Sequence, residues 1–210
     1  MSFLRNHWYK IGVVADFSLL LFLSFNFRNM SNYQLVMWLN LMALFFHQAE
    51  EYWICGTFPG MINRTLFDSD LPDRYPLNSN TAFIINVGIG WTSYLLAAIA
   101  GERFIWLGMA TILVSLGNII AHTFVFNIKG KTLYNAGLVT CWLLFAPCVF
   151  CFFKIILKGN MASATDFFIG ISLGVLINIF GVLKPITWFS DKNTKFVFSI
   201  RQLLPKDRHI

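Results

Sequence analysis

The sequence predicts an all-α protein, a bundle of about six membrane-spanning helices. Only 12% of its 210 residues are charged, whereas 57% are hydrophobic and 17% aromatic. A soluble domain carries about 25% charged residues. The apolar residues also fall into six runs, near 11–27, 33–54, 80–99, 103–126, 132–153 and 166–186. Each approaches the ~20 residues that cross a bilayer. A chain of this size has too little polar surface to wrap so large an apolar content in water.

The first run follows Arg5 and Lys10, as the core of a signal peptide would. No small-x-small cleavage site follows it and Asp16 interrupts it, so it reads as a retained span. The second run ends in a polar group, His47-Gln48-Ala49-Glu50-Glu51. The 55–79 connection holds three prolines and three aspartates and reads as an irregular loop. Gly101-Glu102-Arg103 separates the third and fourth runs by so little that they form an antiparallel hairpin. The fifth run opens with Tyr134-Asn135, and Lys184-Pro185 closes the sixth. Trp8, Trp53, Trp106 and Trp188 fall near run ends, where interfacial anchors sit. Residues 1–190 thus form one transmembrane domain and 191–210 a basic tail. Phe196, Ile200, Leu203 and Leu204 recur there at helical spacing, which suits a short interfacial helix as well as an unstructured tail.

The net charge of +6 does not point to nucleic acid, because the cations flank apolar runs and crowd the tail. That pattern suits an anionic membrane surface. With six spans, twelve of the sixteen Lys and Arg fall on the side of the termini. The positive-inside rule then places both termini in the cytoplasm. Cys141, Cys148 and Cys151 share one apolar run and read as packing residues, and with Cys55 they imply no disulfide framework. Sequons at Asn29 and Asn63 fall on opposite faces and do not arbitrate the topology.

His47, Glu50 and Glu51 stand at i, i+3 and i+4, so all three project from one helix face. Ionisable groups inside a span are costly and mark functional sites. The expected topology brings Asn86, Asn118, His122, Tyr134 and Asn135 to the same depth, near the cytoplasmic end. Such groups need partners, and facing one another around a small wet cavity supplies them. His47, Glu50, Glu51 and His122 make a candidate metal set, since two imidazoles and a carboxylate suit zinc or non-haem iron. The second glutamate is then a general base. Both i+3 and i+4 spacings permit joint ligation with His47, so which glutamate faces the site stays open. Asn118 is a candidate to orient a ligand. Tyr134 either donates to a developing oxyanion or is an ordinary interfacial tyrosine. Asp16 is a weaker candidate, pairing with His122 or Lys10.

These residues lead to an expected membrane enzyme that hydrolyses a lipid or other apolar small molecule from the cytoplasmic leaflet, with a divalent metal, zinc or iron. A metal-free acid/base isomerase or cyclase of an isoprenoid-like substrate is the alternative. A proton- or cation-coupled transporter, an assembly protein and a purely structural polar network are the readings outside enzymology. Oligomeric state is not legible.

His47-x-x-Glu50-Glu51, Asn118-x-x-x-His122 and Tyr134-x-x-Gly137, in that order along nearly the whole chain, resemble the successive motifs of the HXXEE-domain proteins. The resemblance implies an integral membrane protein of about this size, with enzymatic activity suspected from the motifs and no substrate assigned. That family tends to carry Pro before the last Gly, where this chain has Ala136.

Overall fold

Capping chemistry sets the helix boundaries of the computed structural model, which describes residues 2–209. Helix α1 is Ser2–Asn26. Ser31 caps α2 with a reciprocal Ser31/Gln34 box, and α2 runs Asn32–Ala49 and on through Glu50–Ile54 to a left-handed Gly56. A short α3 (Phe58–Met61, extended by Ile62–Leu66) lies in the 55–79 connection. Asn78 caps α4, residues 79–100. Gly101, at φ +56°, breaks the chain into the hairpin with α5, residues 105–130. Helix α6 is Leu138–Lys158 and α7, capped by a Ser163/Asp166 box, is Ala164–Trp188. No strand occurs among the described residues.

Among the described residues, four helical stretches are long and apolar enough to cross a membrane: Phe3–Asn29, Ser79–Gly130, Leu138–Lys158 and Ala164–Trp188. The second, 52 residues long, is the α4–α5 hairpin. Helix α2 falls outside this set because Asn40, His47, Gln48, Glu50 and Glu51 dilute its apolarity, and it is buried along most of its length. It packs against α1, α4 and α6, which shield its polar groups. Helix α7 packs on α5 through Gly170 and Gly174, where an added Cβ would come within 2.8 Å of Met109 and Leu113 side chains. Small residues that let backbones approach are the usual glue between membrane helices. Phe17, Leu21 and Phe25 of α1 and Phe168, Val175 and Leu183 of α7 face outward, as lipid contacts would.

Three expectations change. The fifth expected span, α6, starts at Leu138, not near 132, because Lys131 and Gly137 adopt positive φ and residues 131–137 form a turn. Tyr134 and Asn135 therefore belong to a connection. Trp8 is no interfacial anchor but is buried against Tyr52 and Trp91. The tail forms no helix over Phe196–Leu204. It is an extended strap with two 3₁₀ turns, Ile200–Gln202 and Pro205–Asp207. The Phe198 amide donates to the Asp73 carbonyl (2.7 Å), the Ser79 amide to Phe196 (3.0 Å), and Gln202 Nε2 to the Tyr52 carbonyl (3.2 Å). Arg64 pairs with the buried Asp207 at 3.0 Å. Gly60 is required beneath the strap, since a Cβ there would lie 2.7 Å from the Leu204 nitrogen.

The 55–79 connection is organised by Asn63, which is fully buried. Its amide nitrogen donates to the Pro72 and Leu77 carbonyls (3.0 and 2.8 Å) and its oxygen accepts from the Leu77 amide (2.9 Å). The Asn63 sequon is thereby folded away. Asn63→Ala leaves three buried backbone groups unpaired, at about 1–3 kcal/mol each before water enters. We expect a lower thermal unfolding midpoint in detergent with helix content retained.

Candidate metal centre

Five of the long helices contain a π-turn, and each π-turn borders one region. They are Glu50–Ile54 in α2, Ile84–Trp91 in α4, Ala121–Val125 in α5, Cys141–Phe145 in α6 and Ile177–Leu183 in α7. They supply Glu50 and Glu51, Asn86, His122, Cys141, and Ile177 with Val182 respectively. Such turns re-aim side chains and recur at functional sites.

The centre is a convergence of three buried groups. Glu51 Oε1 lies 3.5 Å from His47 Nε2 and 3.3 Å from His122 Nε2. The rings stand edge to face, centroids 4.9 Å apart. His47, Glu51 and His122 are 2%, 4% and 0% exposed. Neither Nε2 makes a hydrogen bond.

The other ring nitrogens fix the tautomers. Asn135 Nδ2 donates to the His122 carbonyl and to Asn127 Oδ1, both at 2.8 Å. Asn135 Oδ1 therefore faces His122 Nδ1, 2.6 Å away, and must accept from it. Thr140 Oγ1 donates to Glu50 Oε2 at 2.7 Å, so it accepts from His47 Nδ1 at 2.9 Å. With both Nδ1 atoms protonated, neutral rings aim both Nε2 lone pairs at a carboxylate oxygen. A proton or a cation must sit among them. A charge-assisted N–H⁺···O⁻ bond would close to about 2.7–2.9 Å. Two ligands on one tetrahedral ion at 2.0–2.1 Å lie about 3.3 Å apart, so the cluster has the spacing to hold an ion as well as a shared proton. Donor atoms of His47, His122 and Cys141 also lie within 4.8 Å of one another and could hold a metal ion.

Glu50 and Glu51 have different duties. Glu50 accepts from Tyr134 OH (3.0 Å), the Val139 and Thr140 amides (3.3 and 2.8 Å) and the Thr140 hydroxyl. It thus pins the start of α6 to α2 and orients His47 through Thr140. Gly137, at φ +108°, lies against both rings. A Cβ there would meet His122 Cε1 at 2.3 Å and His47 Cε1 at 2.8 Å. Phe58 stacks on His122, and Phe126 and Phe145 close on the two rings from the sides, keeping the cluster dry.

A family model described as a protein of unknown function with HXXEE motif matches residues 38–152. The chain belongs to the HXXEE family. The matched segment contains every residue of the convergence and leaves out α1, α7 and the strap. No curated protein and no solved structure matches the chain.

In this HXXEE chain, then, the His and the second Glu of the motif face each other, while the first Glu turns to the α6 entry. Of the other residues expected at the site, Asn118 lines a cavity with His47 and Glu51 but donates to its own helix, at the Val114 carbonyl, and makes no hydrogen bond to either ring. Its expected orienting duty falls to Asn135. Tyr134 spends its hydroxyl on Glu50 and is 44% exposed, away from the rings. Glu50 is no ligand in this arrangement, because its oxygens are taken. Both Asp16 oxygens are buried without a hydrogen-bond partner, so it pairs with neither His122 nor Lys10.

Sequence reasoning missed Thr140, the role of Cys141 and the Gln48 network. Gln48 Nε2 donates to Asn86 Oδ1 (3.0 Å), and Trp91 Nε1 donates to Gln48 Oε1 (2.7 Å). A polar residue inside the motif, flanked by Asn86 on the neighbouring span, was the available signal. The cavity has a volume of about 50 Å³, with His47, Gln48, Glu51, Asn86 and Asn118 at one side and Ile85, Ile89, Val114, Ile177 and Val182 at the other. It has room for a water molecule or two.

Proposed function

We propose that this chain is a membrane-embedded, metal-dependent hydrolase acting on a lipid or other apolar small molecule. The observation that carries the reading is the pair of buried, unpartnered Nε2 atoms directed at Glu51 Oε1. His47, His122 and Glu51 would hold the ion through the two Nε2 atoms and Glu51 Oε1, and Cys141 is a further candidate donor grouped with the two histidines. When bound, zinc or iron supplies the Lewis acidity that hydrolysis requires.

The chain's own residues do the rest. Thr140 and Asn135 hold the two rings in one tautomer and one orientation, as outer partners of metal-ligating histidines do. Phe58, Phe126 and Phe145 exclude bulk water. The small cavity beside His47 and Glu51 would have to widen between α4 and α7 for the apolar wall of Ile85, Ile89, Ile177 and Val182 to receive a substrate's hydrocarbon. The Ile89 side chain meets α7 at Gly181. Parting α4 from α7 there would admit a substrate sideways from the bilayer. The segments rich in Lys and Arg (the α1 start, the 55–79 connection and the strap) meet at one end of the bundle. The positive-inside rule supports putting that end, with both termini, in the cytoplasm.

Elemental analysis of protein purified in detergent tests the reading. We expect stoichiometric zinc or iron in the wild type and none in His47→Ala or His122→Ala, each with a wild-type helical spectrum. Hydrolysis of fluorogenic acyl and phosphate esters should vanish with a chelator and return with the metal. A wild-type chain that takes up no ion from a zinc or iron(II) solution overturns the proposal.

A further inference from the structure

A second pocket lies at the same end of the bundle, outside the candidate metal centre. Its volume is about 420 Å³, within the range of small-molecule sites. The first turns of α1, Tyr52–Trp53 and the strap residues 197–202 form its walls. Arg5, Lys10 and Arg201 line it together with His7, and no aspartate or glutamate does.

Its cations have no carboxylate partner among the described residues, whereas two arginines of the adjoining 55–79 connection do. Arg64 and Arg74 each pair with an aspartate. Among the described residues, Arg5, Lys10 and Arg201 make no ion pair. Arg5 Nε is buried without a hydrogen-bond partner. Its guanidinium lies 4.3 Å from the Phe196 ring centroid, and Lys10 Nζ lies 5.5 Å from that of Trp53. Aromatic faces hold these cations over the pocket without neutralising them. Guanidinium groups match phosphate oxygens in a planar fork, and an ammonium adds a point charge.

We infer that this pocket binds a phosphate-bearing anion. Its size exceeds that of phosphate alone and suits a headgroup such as glycerol phosphate. The chemistry is shared by an anionic phospholipid and by a free phosphate compound, so the test has an arm for each. The closing wall is the strap, held to Tyr52 by Gln202. The site therefore exists only in the chain with its tail folded.

The full chain in a neutral detergent is titrated with dihexanoyl phosphatidylglycerol, dihexanoyl phosphatidylcholine and inorganic phosphate. We expect saturable binding of the glycerol lipid at least tenfold tighter than of the choline lipid. Arg5→Gln with Arg201→Gln should weaken it tenfold or more, and Arg5→Lys with Arg201→Lys should restore part of it. Lys10→Gln, at an exposed position, should weaken it several-fold and keeps the test sound if the double variant misfolds. Binding of the lipid alone assigns the pocket to headgroups, and binding of inorganic phosphate alone assigns it to a soluble phosphate compound. Equal affinity for both lipids with no phosphate binding overturns the inference, as does an affinity that Lys10→Gln and the double variant leave unchanged.

Discussion

Gly137→Ala should displace both rings of the proposed metal centre and loosen the fold together. A Cβ there would overlap His122 Cε1 at 2.3 Å and crowd His47 Cε1 at 2.8 Å. The residue also sits at φ +108°, a conformation that costs a non-glycine residue about 1–3 kcal/mol. Both rings must swing away, which breaks the Asn135 and Thr140 hydrogen bonds that orient them. We expect bound metal at background level and an unfolding midpoint lowered by about 5 °C or more, at roughly 2–4 °C per kcal/mol for a chain of this size. Gly88→Ala is the control, since a Cβ there meets nothing within 4 Å. Equal metal content in the two variants would contradict the described packing.

The two neighbouring glutamates should separate cleanly. Glu51→Gln keeps the shape of the side chain but removes the charge on which both Nε2 atoms converge, so stoichiometric metal should be lost with the unfolding midpoint nearly unchanged in the metal-free state. Glu50→Gln should keep the ion, because its oxygens bind Tyr134, Val139 and Thr140 rather than the rings. The amide oxygen still accepts the two bonds of one carboxylate oxygen, but the NH₂ in place of the other faces donors. We therefore expect metal affinity about 10–100-fold weaker, as for other losses of outer support, and reduced stability. Titration of metal-stripped protein with a fluorescent zinc competitor reads both affinities. The reverse ranking would mean that Glu50 is the ligand.

The helices were legible because the bilayer imposes a length on each apolar run, so α1, α4, α5, α6 and α7 could be drawn from hydropathy with turns at Gly101 and near Gly130. The meeting of His47 with His122 followed from placing both near the same end of antiparallel spans. The finer assignments failed where regular geometry fails. Asn118 and His122 share a face at four-residue spacing only on an unbroken α-helix, and the π-turn begins at Ala121. Asn135 and Thr140 come near the rings because residues 131–137 fold back over α2, a path set by two positive-φ residues and invisible to periodicity. The strap misled for a related reason. Its apolar residues recur at helical spacing, but Gly60 and the 55–79 connection offer a backbone-lined groove that fixes it extended.

The π-turns also say which kind of genetic change should be most damaging. Each accommodates one residue more than the α-turn it replaces. Deleting a single residue between Ala121 and Val125 would let α5 rewind as an ordinary helix, still apolar and still long enough to insert. The flanking segments would keep their faces, because the bulge is what absorbs the extra residue, but the side chains within the turn, His122 among them, would be re-aimed. Codon loss at these five places should therefore abolish whatever the cluster does while leaving an inserted bundle, and descendants that have discarded the chemistry should be recognisable by length before they are recognisable by substitution.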